Sequence, residues 1–134
     1  MKRSILLILS LAVAAILTVP LFAAGGLAGV WIRDNGKSKL TFTCNGNRCV
    51  SKITWLKDAN AKEECGKKRR MLGMTNGTVT KTGANIWQGS LYNPEDCKTY
   101  SARATVNGNT LQLKGGYKIL GQYIGKTANF RRAN

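Results

Sequence analysis

From Lys98 to Val106 the chain alternates strictly, with Tyr100, Ala102, Ala104 and Val106 on one face and Thr99, Ser101, Arg103 and Thr105 on the other. A period of two is the signature of a half-buried strand. Leu40, Phe42 and Cys44 alternate with Lys39, Thr41 and Thr43 in the same way, and Leu111 and Leu113 alternate with Gln112 and Lys114. Further strands are expected at Gly29 to Arg33, Val50 to Leu56, Met71 to Met74, Asn85 to Tyr92, and as two pieces from Tyr117 to Arg132 divided near Gly125. Asn-Gly, the strongest short hairpin cue, occurs at 35–36, 45–46, 76–77 and 107–108 because both central residues of a type I′ turn need positive φ. The pattern therefore predicts an all-β fold, a small antiparallel up-and-down barrel of about eight or nine short strands, since closing the sheet hides its edges. Lys57 to Arg70 has no such period and is expected to be a long exposed loop with one helical turn over Ala59 to Glu64.

The first 28 residues read differently. Lys2 and Arg3 precede an uncharged apolar run from Ile5 to Val19, then Pro20 and the small residues Ala23 to Ala28, the layout of a secretory signal peptide. Residues 1–28 are assigned to that leader, with cleavage between about 24 and 28, and residues 29–134 to a single domain. An uncleaved anchor is the alternative, because about 20 apolar residues suffice to span a bilayer. After cleavage no transmembrane span is expected, and the protein is expected to be periplasmic or secreted, and monomeric.

Composition narrows the chemistry. The 134 residues hold 21 Lys and Arg, 6 Asp and Glu and no His, a formal charge of +15 that loses only Lys2 and Arg3 with the leader. Without imidazole, Ser-His-Asp, Cys-His and zincin chemistries are excluded. Glu63-Glu64 and Glu95-Asp96 read as solvated surface, and Asp58 with Asn60 as an Asx turn ending the Trp55 strand. No catalytic residue, metal site or cofactor is assigned, and the protein is not expected to be an enzyme. Export places Cys44, Cys49, Cys65 and Cys97 in an oxidising compartment, where an even count reads as disulfides. Cys44 and Cys49 flank a four-residue hairpin tip, so the expected pairing is Cys44–Cys49 with Cys65–Cys97 among three possible connectivities. The run Lys67, Lys68, Arg69 and Arg70 is a basic patch suited to anionic envelope surfaces. Nucleic acid is disfavoured as a partner, because no aromatics interleave with that run.

Gly29-Val30-Trp31, Cys44-x₄-Cys49 leading into Ile53-Thr54-Trp55-Leu56, the block from Trp87 to Tyr100 with Tyr92-Asn93-Pro94-Glu95-Asp96 at its centre, and Gly125 to Arg131 give the chain a wider likeness. It resembles the DUF2147 family of small exported bacterial proteins, a domain of unknown function. The resemblance implies export and one β domain, and no reaction. Cys97 stands where that family usually has Gly, Cys65 is an extra, and Phe130 replaces a Trp; two added Cys are most simply each other's partners. More distantly the chain is similar to lipocalin or calycin barrels, in which a Gly-x-Trp on the first strand packs beneath an Arg of the last. Trp31 with Arg131, or Arg132, would close the barrel in that way. The resulting expectation is a non-catalytic lipocalin-like binding protein for a small apolar or amphiphilic ligand, with Leu40, Phe42, Trp55, Trp87, Tyr100, Leu111 and Leu113 as candidate ligand-facing positions. The alternative is a cationic module that binds anionic lipid or polysaccharide through its outer surface.

Overall fold

A computed structural model of the chain describes residues 26–120 and 122–133, with the backbone alone at 118 and 123. Most of the leader assigned to residues 1–28 lies outside the described residues. Eight strands follow in order: β1 (Gly29–Arg33), β2 (Ser38–Asn45), β3 (Arg48–Leu56), β4 (Thr75–Gly83), β5 (Ile86–Asn93), β6 (Lys98–Asn107), β7 (Thr110–Ile119) and β8 (Gln122–Arg132). Each pairs antiparallel with its sequence neighbour, and β1 pairs with β8 to close the barrel. Closure leaves no unpaired edge.

Three of the four Asn-Gly cues mark hairpin turns, with Gly36, Gly46 and Gly108 at φ of 70°, 64° and 61°. The fourth does not. Asn76-Gly77 lies inside β4, where Gly77 faces Leu91 and a bulge shifts the register against Ser51 and Lys52. A Cβ at Gly77 would collide with the Leu91 side chain, so glycine serves close packing there rather than a turn. Met71 to Met74 is correspondingly a turn and not a strand, and β4 follows it. The final hairpin turns between Ile119 and Gln122, while Gly125 sits mid-strand opposite Gly116. Those two glycines let the strands approach closely, since a Cβ on Gly125 would strike the Gly115 carbonyl.

Register gives the barrel an inner face. Leu40 opposes Trp31, Leu113 opposes Ala104 and Ala128, and Leu111 opposes Val106 and Phe130. Large residues fill the end where the chain enters: Trp31, Phe42, Val79, Trp87, Val106 and Leu111 are all buried. Each contributes on the order of 1.5–3 kcal/mol by leaving water. The packed structure reaches upstream of Gly29, because Leu27 is only 1 % exposed and its carbonyl accepts a hydrogen bond from Trp31 Nε1 at 2.9 Å.

The cation that closes this end is Arg132, not Arg131. Trp31 is directly opposite Arg132 and Ile32 opposite Arg131, so alternation sends Arg131 outward. The Arg132 guanidinium lies 4.2 Å from the Trp31 ring centroid and donates to the carbonyls of Gly26 at 2.8 Å and Ala28 at 3.2 Å.

Both expected disulfides are present. Cys44–Cys49 spans the β2–β3 hairpin between directly opposed residues, and Cys65–Cys97 ties the long β3–β4 connection to the β5–β6 turn.

Candidate functional site

At the end away from Trp31 the inner positions become small or polar: Ser38, Gly115 and Ala128 replace the bulky residues below them. A sheet that stays closed while its inward side chains shrink encloses space. A cavity of about 460 Å³ results, open to solvent at this end and walled by Leu40, Ile53, Leu56, Met71, Leu91, Leu113 and Phe130.

The β3–β4 connection contributes Met71 to the cavity wall and is far more structured than its sequence suggests. No helical turn forms over Ala59 to Glu64; instead Lys62 and Arg70 form an isolated bridge and Glu63 turns inward. Glu63 is 3 % exposed, a correction to its reading as solvated surface. Its carboxylate accepts from the Arg69 backbone N–H and Nε and from Nη2, at 2.9, 3.1 and 2.9 Å, and from the Tyr92 hydroxyl. The Arg69 side chain, then Tyr92 and the Arg69 amide, hold the Glu63 carboxyl down at about 2, against the opposing effect of burial. An isolated buried carboxylate would be costly, and a guanidinium fork with a phenol removes that cost. The cluster pins the connection to β5, and Glu64 N–H to the Pro94 carbonyl at 3.0 Å joins it to the β5–β6 turn beside Cys65–Cys97. Asp58 forms the expected Asx turn, accepting from the Asn60 N–H at 3.0 Å.

Polar groups ring the mouth. Asp96 accepts from the Tyr100 hydroxyl, which holds the Tyr100 phenol protonated up to about 12, and Tyr100 meets Tyr117 edge to face at 5.8 Å. Lys126 pairs with Glu95 at 3.3 Å. Arg33 is the unusual member. Alternation from Trp31 puts it on the inner face opposite Phe130, whose ring lies 5.9 Å from its guanidinium carbon. Its Nε is buried and has no hydrogen-bond partner, and the nearest carboxylate oxygen, on Asp34, is 3.9 Å away. The side chain as a whole is 40 % exposed and Arg33 lines the cavity, so the guanidinium is within reach of an incoming acceptor.

Of the residues expected to face a ligand, Leu40, Tyr100 and Leu113 line the cavity. Phe42, Trp87 and Leu111 belong to the packed floor. Trp55 is outside: a bulge between Lys39 and Leu40 sets Trp55 opposite Lys39, 40 % exposed, with the Lys39 ammonium 5.4 Å from its ring. One extra residue inverts the alternation, turning Leu56 inward in its place. Arg33, Met71, Leu91 and Phe130 were missed by sequence reasoning, although the parity of Trp31 already pointed to Arg33. In the basic patch Lys67, Lys68 and Arg70 are exposed, while Arg69 is engaged by Glu63. Among the described residues no group of three or more Cys, Asp or Glu is placed to hold a metal ion.

An eight-stranded antiparallel barrel, plugged at one end by an Arg–Trp stack and hollow at the other, is a lipocalin-like fold. The structure is similar to protein HP1028 from the human pathogen Helicobacter pylori, described as belonging to the lipocalin family, with a TM-score of 0.60 and 22 % identity over 81 % of this chain and 83 % of that one. At that identity the likeness concerns the fold. Residues 29–132 match the model of the DUF2147 family, described as an uncharacterized protein conserved in bacteria, and the chain belongs to that family. No curated protein matches the chain. Two disulfides in a bacterial protein fit an oxidising, extracytoplasmic location.

Proposed function

We propose that this protein is a non-catalytic carrier, exported to the periplasm or beyond, that holds one small amphiphile with its apolar body in the barrel and an acidic head at Arg33. The observation that carries this reading is the apolar cavity of about 460 Å³ with Arg33, whose side chain is 40 % exposed, as a cation in its lining. That volume falls within the range of about 300–1,000 Å³ usual for small-molecule sites, as does the arrangement of mostly apolar walls with few polar groups. A carboxylate or phosphate oxygen is the natural acceptor for a guanidinium.

Native mass spectrometry of protein purified from its own host tests the reading. The expected spectrum shows a bound small molecule at one per chain, displaced by Ala128→Trp, which fills the cavity from β8. A ligand-free spectrum, together with failure to bind any fatty acid added back, would overturn it.

A further inference from the structure

The β7–β8 hairpin runs on past the rim of the barrel. β1 ends its pairing with β8 at Arg33 opposite Phe130, yet β7 and β8 stay paired from Leu111–Phe130 out to Ile119–Gln122. Beyond the rim, alongside Lys118 and Gln122, the described apolar side chains are unburied. Tyr117 and Ile124 oppose each other on the face that continues the cavity wall, 65 % and 55 % exposed, and Ile119 is 53 % exposed. Leu120, in the connection itself, is 99 % exposed and has a φ of 51°.

A left-handed position at a hairpin tip is filled with least strain by Gly or Asn. A fully exposed leucine there is opposed by both backbone strain and hydration, so folding does not account for it. Contiguous exposed apolar side chains mark an interaction site.

Charge indicates the partner. The exposed Lys67, Lys68 and Arg70 sit on the β3–β4 connection, which opens at the same end of the barrel, and the chain as a whole carries +15. An open end with a narrow apolar tip and a tyrosine on one side and exposed cations on the opposite side of the mouth matches the layering of a membrane interface, where aliphatic groups enter the acyl boundary, aromatics sit at headgroup level and cations meet phosphate. We infer that the open end docks on an anionic lipid bilayer, with Ile119 and Leu120 inserted and the Lys67–Arg70 segment on the lipid phosphates, so that the cavity mouth faces the membrane. Docking stands without the carrier reading; only its consequence, exchange of an amphiphile between bilayer and barrel, rests on it.

The test is co-sedimentation of the soluble protein, expressed from the full-length chain, with vesicles of phosphatidylglycerol and phosphatidylcholine and with phosphatidylcholine alone. Binding is expected on the anionic vesicles and to fall steeply with salt. Ile119→Thr with Leu120→Asn, chosen to suit a strand and a left-handed turn, is expected to weaken partition about tenfold without lowering the melting temperature. Lys67→Gln with Lys68→Gln is expected to weaken it about 25-fold, roughly fivefold for each cation near a charged leaflet. No binding to the anionic vesicles, equal binding to phosphatidylcholine alone, or binding undiminished in the Ile119/Leu120 variant would each overturn the inference. Fatty-acid binding measured without vesicles reads the carrier separately, so the two ideas fail independently.

Discussion

Replacing Arg132 with Ala removes three interactions at once from the closed end of the barrel. The guanidinium is 4.2 Å from the centroid of the Trp31 ring, which is itself fully buried. A cation–π contact of this kind is worth about 1–2 kcal/mol as solvent is excluded. The bonds to the Gly26 and Ala28 carbonyls add about 1 kcal/mol each at a partly exposed site. The expected loss is therefore about 3–4 kcal/mol, or roughly 12–16 °C in melting temperature for a domain of this size. Arg131→Ala, one residue away and outward, should stay within about 0.5 kcal/mol of wild type. Arg132→Lys should recover only part of the loss, because a point charge cannot both stack on indole and fork to two carbonyls. Equilibrium urea unfolding followed by tryptophan fluorescence measures all three. Equal losses at 131 and 132, or a larger one at 131, would refute the assignment of the latch.

Other perturbations follow from the same geometry. Glu63 has a folded pKa of about 2, below its ordinary value near 4.5, so its contribution is complete above that value and lost as pH falls towards 2; Glu63→Gln should be destabilising at pH 7, with the gap from wild type narrowing between pH 4.5 and 2 in acid unfolding curves. The Cys65–Cys97 bridge closes a loop with a separation of 32 residues, worth about 3–4 kcal/mol in the chain-entropy model. Cys97 holds a φ of 59°, so Cys65→Ser with Cys97→Gly should regain about 1 kcal/mol of backbone strain and show a net loss of about 2–3 kcal/mol by thermal melting. Because Leu27 is buried and the Gly26 carbonyl holds Arg132, the leader should be cut after Gly25, and intact mass of the exported protein should place Gly26 at its start.

The barrel was legible because its information is local. Alternation in β2, β6 and β7 and three Asn-Gly turns fix the strands and their partners, and closure follows from eight antiparallel neighbours with edges to hide. What the sequence concealed is non-local. β4 carries Val79 as its one buried apolar residue, since Gly77, two residues earlier, must stay small opposite Leu91, and so it gave almost no hydrophobic signal. The bulge at Lys39 and Leu40 exchanges Trp55 for Leu56, and no local cue announces it. Glu63 looks like surface until Arg69 and Tyr92 are brought to it by the fold, Tyr92 from 29 residues away. The cavity itself depends on which inner residues are small at one height of the barrel, a property of register rather than of any one strand. Arg33 is the exception, readable from Trp31 by parity alone.

On the proposed function, the hollow end of this barrel binds an amphiphile by its acyl body and acidic head. Fluorescence titration with a dansyl-labelled long-chain fatty acid tests it most directly, on wild type, Arg33→Met and Ala128→Trp. Saturable binding at one per chain is expected, weakened about ten- to a hundredfold when the guanidinium is lost and abolished when the cavity is filled, with both variants folded by near-UV circular dichroism. Absence of saturable binding, or binding of equal strength in all three proteins, would contradict it.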